Sequence, residues 1–533
     1  MLGRSALSGL AAAAPALHRQ ASPAWRGVPS TTTARSAATG DAYVGDPVFP
    51  DGIASGDPAL DKVVLWTCVD PELDRRDGVP VGLEVARDAE FTSSAVVAWA
   101  TAVATADRDH TVNLDVDGLE PGTTYYYRFT ARGHQSPVGR TKTLPDGEVD
   151  RVRLAAFSCQ RYVHGYFPSH RDLADLALDP GTDLDLVLSL GDYVYNTEWA
   201  DDWAVEGRDL PARPEAFTLA EFRRRYHDLR ADLALQAMHA NHPVACIFDN
   251  HDGMGDPSDE MGAGAVPAFF EQLPVRRVGG TDRIHRRLSV GGMVDVVLLD
   301  ERQFRDPEVE STGPIATEGT DAPAIFDPER TMLGADQRDW LLDELAASTA
   351  TWRVIGSQLM FWPWRLSQGG APTDEITHPG SYLNFTQWDG YQAERDTILR
   401  VLDERGDRNA VVLSGDSHLF SVAGVALDFD DPDAEPVLVE LNGSSITSAN
   451  ADERNLPQSA LTEPGFKDAN PQLVLFDSER HGLSVIELRR DGADAELRSP
   501  TSIEDPEAPV EVLASFRIEA GTARPERTGG TRG

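Results

Sequence analysis

Asp192 and Tyr195 stand three residues apart, directly after a short apolar run of Leu184, Leu186, Val187, Leu188 and Leu190. A carboxylate and a phenol at that spacing can both reach one hard, highly charged metal ion. Three further apolar runs end in the same manner. Residues 152–157 lead into Ser158, Cys159 and Gln160; residues 243–248 into Asp249, Asn250, His251 and Asp252; residues 410–413 into Ser414, Gly415, Asp416, Ser417 and His418. Buried polar groups are costly unless paired or metal-bound. Four such endings therefore read as one site.

The chemistry this permits is metal-assisted hydrolysis. Two metal ions close together activate a bridging hydroxide and clamp the phosphoryl oxygens of an in-line displacement. Asp192 is the natural shared carboxylate, and Tyr195 reaches one metal only. A phenolate beside the Cys159 thiolate favours Fe(III), whereas Asn250 and Asp416 offer oxygen donors suited to Ca(II). His418 can join either ion. His251 reads as a non-ligand: its imidazolium can stabilise phosphoryl charge or protonate the leaving oxygen, with Asp252 or Asp249 orienting the ring.

The elements that must position these residues follow from pattern. Continuous apolar runs without alternation are buried strands of a parallel sheet, whose C-terminal ends are where ligands bind. Helical stretches at 170–178, 219–240, 335–347 and 390–404 alternate with the strands and predict an α/β or α+β layered domain over residues 150–520. Residues 44–145 carry short strands at 63–67, 81–85, 95–99 and 124–129. The turn and aromatic strand at 119–125 resemble those of fibronectin type III sandwiches, so a small β-sandwich is expected there, with a linker at 143–148. Residues 1–43 read as a leader, either an export signal or disordered, and 521–533 as a disordered tail.

Composition narrows the function further. The 533 residues carry 48 basic and 87 acidic side chains, a net charge of −39, which excludes a general nucleic-acid-binding surface. No apolar run is long enough for a transmembrane helix. Cys68, Cys159 and Cys246 cannot form a disulfide framework. Cys68 and Cys246 read as small buried hydrophobes, Cys159 as a thiolate ligand.

Taken in order, Ser158-Cys159-Gln160, the 191–195 segment Gly-Asp-Tyr-Val-Tyr, Asp249-Asn250-His251-Asp252 and the 415–418 segment Gly-Asp-Ser-His resemble the blocks of the alkaline phosphatase D family of metallophosphoesterases, relatives of the purple acid phosphatases. Residues 299–305, 332–337, 445–448 and 49–57 extend the likeness over roughly residues 45 to 490. The resemblance implies a central β-sandwich flanked by helices and an exported enzyme acting on phosphate monoesters and diesters; a monomer is expected. It also implies an Fe(III)–Ca(II) centre. Carried over by position, Cys159, Asp192, Tyr195 and His418 would hold iron, and Asp192, Asn250 and Asp416 would hold calcium, with His251 beside the phosphate. Arg161 and Gln358 are candidate substrate contacts.

Two positions depart from the family pattern. Residues 248–252 read Phe-Asp-Asn-His-Asp where the family has Trp-Asp-Asp-His-Glu, and Ser357 stands where the family has Asn before Gln358. Two other readings compete with the phosphatase. One is a phospholipase-type diesterase, with Phe361, Trp362, Trp364, Tyr382, Phe385 and Trp388 rimming a lipid-facing pocket. The other is a non-catalytic metal-binding surface protein.

Overall fold

The computed structural model describes residues 33–531 apart from 75–77, 198–203, 209–214, 255–261, 310–321, 367–380, 383, 430, 432 and 451–468. Two large sheets dominate it. In the ten-stranded sheet, Val152–Phe157, Leu186–Ser189 and Pro243–Cys246 run parallel at the centre. In the seven-stranded sheet the parallel set is Val294–Leu298, Trp352–Gly356, Ala410–Ser414 and Leu438–Gly443.

Alternation along the second set shows how the layers form. Val296, Leu298, Val354, Val411 and Leu413 join the core shared with the first sheet. Their neighbours Val297, Ile355 and Val412 face a second core, with Leu341 and Leu345 of helix Ala335–Ala347 and Ile398, Leu399 and Leu402 of helix Gln392–Arg405. Side chains alternate faces along a strand, so a strand apolar at every position must be covered on both sides. Gly356 marks how closely the sheets meet: an added Cβ would lie 2.6 Å from Leu298 and 3.3 Å from Leu190. Helices Pro168–Leu176, Leu233–Asn241 and Gly262–Gln272 pack against strands of the ten-stranded sheet. The α/β layering expected from the sequence is thus present.

Several boundaries differ from expectation. The 219–240 stretch is two helices, Leu219–Arg230 and Leu233–Asn241, because Asp232 caps the second by accepting from the Ala234 and Leu235 amides. The amino-terminal strands are divided between two sheets. Ile53–Gly56 pairs in parallel with Pro243–Cys246, and Val63–Cys68 and Thr111–Val116 continue that same sheet. Val79–Ala86, Val96–Ala104 and Thr124–Ala131 form a second, smaller sheet. Its Tyr125 hydroxyl accepts from the Glu120 amide at 2.8 Å, the tyrosine-corner contact of β-sandwiches.

The disordered tail is corrected as well: Pro525–Gly529 is an edge strand paired along one side with Val510–Glu519, despite the Arg/Gly/Thr-rich composition. The leader reading overshoots too. Ala34 and Tyr43 are buried, and Asn241 bonds the backbone of Arg35 and Ala37. Residues 1–32 lie outside the described residues.

Candidate metal centre

The parallel strands of both sheets end on the same edge of the molecule, and their polar tips converge there. Val152–Phe157 delivers Cys159, Leu186–Ser189 delivers Asp192, and Ala410–Ser414 delivers Asp416 and His418. One donor atom each from Cys159, Asp192 and His418 lies within 4.8 Å of the others. The Tyr195 hydroxyl is 3.5 Å from His418 Nε2. Sequence-distant residues thus meet as expected.

The backbone at this point is held in unusual conformations. Cys159, Asp192, Asp416 and His418 have φ of 58°, 51°, 61° and 51°, a left-handed region that side chains other than glycine rarely occupy. Each such residue costs on the order of 1–3 kcal/mol, and the cost persists only where surrounding structure enforces it. Here it is enforced by a hydrogen-bonded collar. The Cys159 carbonyl accepts from the Ser448 amide and hydroxyl, at 3.1 and 2.9 Å, and the Ser448 hydroxyl also meets the Tyr195 phenol. His418 Nδ1 donates to the Ala449 carbonyl at 2.9 Å, which turns Nε2 toward the cluster.

Electrostatically the cluster is overloaded with anions. Burial, and then the Asp249, Asp252 and Asp416 carboxylates, push Asp192 well above the usual carboxylate range. Burial and then Asp192 raise the Cys159 thiol and the Tyr195 phenol. Burial and Asp249 bring Asp416 up to about 7. Protein groups alone thus disfavour the charged forms of these residues, and a bound cation would oppose that preference. A soft sulfur, an imidazole, a phenol and carboxylates around one point fit a transition-metal ion with a harder neighbour.

Arg302, within the 299–305 block, also reaches the cluster. It is buried, and its guanidinium bonds Asp249, then Asp416 at 3.2 Å and Asn250 at 3.4 Å. The apolar strand ending in Asp300-Glu301-Arg302 carried that signal. Arg161 lies beside the cluster: its guanidinium is 5.3 Å from the Tyr195 ring centroid and donates to Thr197 Oγ1 at 2.9 Å.

His251 stacks on Tyr195 with ring centroids 4.4 Å apart, and its backbone amide donates to Asp192 Oδ1 at 3.0 Å. Its ring is met by Asn196 Oδ1, 3.2 Å from Nδ1. The orienting role expected of Asp252 is corrected accordingly. Asp252 accepts from the Val194 and Asp249 amides, both at 2.9 Å, and so braces the two ligand loops against each other. Burial raises its carboxyl to about 7. Asn196 takes the orienting place, and nothing in its sequence context marked it.

Gln358 is corrected too. It is fully buried, and its side-chain nitrogen donates to the Phe248 and Leu299 carbonyls, both at 3.0 Å, tying a strand end of one sheet to a strand end of the other. That nitrogen is unavailable to a substrate. The proposed aromatic rim is largely interior: Phe361, Trp362 and Trp388 belong to the second core. His164 accepts from the Ala449 amide at 2.9 Å and supports the collar.

A strand-edge site of Cys, Asp, Tyr, Asn and His between two facing sheets, with arginine and histidine beside it, suits a metal-dependent hydrolase. Comparison with known proteins gives the family. The PhoD-like phosphatase model matches residues 154–497, and the model for the PhoD-like phosphatase N-terminal domain matches residues 33–145. The chain belongs to the PhoD-like phosphatases. It is 32% identical over 497 residues to alkaline phosphatase D of Bacillus subtilis (strain 168), covering 88% of this chain and 80% of that one. A solved structure of PhoD superposes with a TM-score of 0.78 at 28% identity, over 92% of this chain and 93% of the other.

Proposed function

We propose that this phosphatase hydrolyses small phosphate monoesters and diesters at a two-cation centre. Cys159, Asp192, Tyr195 and His418 would hold Fe(III), and Asp192, Asn250 and Asp416 would hold Ca(II). The observation that carries this reading is the approach of Cys159, Asp192 and His418 donor atoms within 4.8 Å of one another beside the Tyr195 hydroxyl. When bound, such a pair of ions supplies Lewis acidity toward the phosphoryl oxygens and an activated water.

The chain's own residues do the rest. The His251 backbone amide fixes the Asp192 carboxylate. Its ring, set by Asn196 on one side and the Tyr195 face on the other, holds a proton for the departing ester oxygen. Arg161 adds positive charge beside Tyr195 and contacts the phosphoryl group. Arg302, bonded to Asp249, Asn250 and Asp416, keeps the oxygen donors together when phosphate leaves. Ser357 Oγ lies 2.7 Å from Glu301 Oε1, so the departure from Asn at this position places a hydroxyl in a structural bond.

The burial of Phe361, Trp362 and Trp388 does not favour the lipid-directed alternative, and membership of a phosphatase family does not favour a non-catalytic one. The test is hydrolysis of 4-nitrophenyl phosphate and bis(4-nitrophenyl) phosphate before and after chelation, with metals restored singly. Activity should vanish on chelation and return with iron and calcium. Turnover indifferent to chelation would overturn the proposal. The proposed export and monomeric state are checked by cell fractionation and by light scattering of the purified chain.

A further inference from the structure

We propose that Asp51, Cys68 and His227 form a second metal site, structural in role and suited to zinc or a similar divalent ion. It would clip the amino-terminal strands to the helix of the catalytic layer that carries His227. One donor atom from each of the three lies within 4.8 Å of the other two. They come from separate segments. Asp51 precedes strand Ile53–Gly56, Cys68 ends strand Val63–Cys68, and His227 lies on helix Leu219–Arg230.

The surroundings distinguish Cys68 from an ordinary core cysteine. The thiol is buried, yet it lies 3.5 Å from the Asp109 carbonyl and within reach of the Asp51 carboxylate. Carboxylates also flank the imidazole: Asp51 Oδ2 is 2.5 Å from Nδ1, and Asp109 Oδ2 is 2.8 Å from Nε2. Gln272 Nε2 in turn donates to Asp109 Oδ2 at 2.7 Å. A metal ion on Nδ1, with the Asp51 oxygen and Cys68 sulfur, leaves the Nε2–H donating to Asp109. That is the carboxylate–histidine–metal relay that fixes ring orientation and raises ligand basicity at zinc sites.

The donor set of one sulfur, one nitrogen and one oxygen leaves a fourth tetrahedral position, and the His227 side chain is 34% exposed. Binding displaces the thiol proton of Cys68 and the Nδ1 proton of His227. Two protons leave and a dication arrives, so the charge of the cluster is unchanged. The bare alternative is an imidazolium held between two aspartates with a neutral thiol beside it. Because two protons are exchanged, zinc affinity rises steeply with pH, and an ion pair alone binds none.

The test uses the full-length enzyme, chelated, exchanged into metal-free buffer and titrated with Zn(II) alone. Wild type should take up one more equivalent of zinc per chain than Cys68→Ala or His227→Gln, with Asp109→Asn weakening that equivalent by about 10–100-fold. With Co(II) as the probe, wild type should show thiolate charge-transfer intensity beyond that which Cys68→Ala keeps through Cys159, which both proteins retain. Should Cys68→Ala fail to fold, His227→Gln carries the comparison. Equal zinc stoichiometry in wild type and the variants, with identical cobalt spectra, overturns the proposal and leaves the ion pair.

Discussion

Replacing His251 by alanine tests the role of the protein's own groups most directly, because the backbone contact that matters to the metal site survives the change. The Asp192 carboxylate is held by the His251 amide, not by its ring, so metal content should stay at the wild-type level. The lost ring gives up its stacking on Tyr195, worth about 0.5–1.5 kcal/mol, which leaves a folded protein. Loss of a positioned proton donor lowers turnover by about 10²–10⁴-fold. At 1.36 kcal/mol per tenfold that is a barrier increase of about 3–5 kcal/mol, well above the packing loss. The assay is steady-state hydrolysis of aryl phosphates of graded leaving-group acidity. If the ring protonates the departing oxygen, His251→Ala should lose little on 4-nitrophenyl phosphate and far more on phenyl phosphate, whose leaving group needs the proton. Equal losses on both substrates, with iron and calcium still bound, would refute proton donation and leave only charge stabilisation. Asn196→Ala, which removes one neutral hydrogen bond to the ring, should show the same substrate dependence at roughly 2–12-fold.

Further outcomes follow from the same geometry. Asp192→Asn should lose bound metal and all measurable turnover, checked by elemental analysis alongside the assay. Tyr195→Phe should abolish a visible tyrosinate charge-transfer absorption in the iron-loaded protein; its persistence would place iron elsewhere. Arg302→Ala strips the buried partner from Asp249 and Asp416 and should lower the stability of the metal-free protein by about 3–5 kcal/mol, with much of the loss recovered on adding divalent cations, as read by denaturant melts. Burial raises Glu301 to about 8, and the Ser357 hydroxyl, 2.7 Å from Glu301 and 2.6 Å from the Leu359 carbonyl, has one proton for two acceptors, which a protonated Glu301 resolves. With the folded value above the unfolded one, this residue's contribution is whole below about pH 4.5 and lost as pH rises through about 8. Glu301→Gln should therefore gain stability relative to wild type across that window in melts run from pH 5 to 9, and parallel curves would sink the assignment.

The proposed ligands are legible in the sequence because each one follows an apolar run, a pattern that survives without any knowledge of partners. Cys159, Asp192, Tyr195, Asn250, Asp416 and His418 were all visible on that ground, and the family blocks placed them in order. What stayed hidden was the support. Asn196, Ser448 and the Ala449 carbonyl act through loop geometry, and no local spacing announces which polar residue a loop will turn toward a ring. Asp252 was misread for a related reason: adjacency to His251 in sequence suggested contact, whereas a 3-10 turn sends its carboxylate to backbone amides instead. The junction of Ile53–Gly56 with Pro243–Cys246 joins segments nearly two hundred residues apart and leaves no periodic trace.

That junction bears on how the molecule can be divided. The linker near residue 145 looks like a place to cut, but a fragment beginning there would expose the unpaired side of Pro243–Cys246, a fully buried strand that presents Asp249 to the centre. Its open amide groups would invite another chain to pair with them. Recombinant catalytic fragments started after the apparent boundary should therefore aggregate, and gene fusions or domain exchanges drawn at that point would sever one sheet while seeming to separate two units.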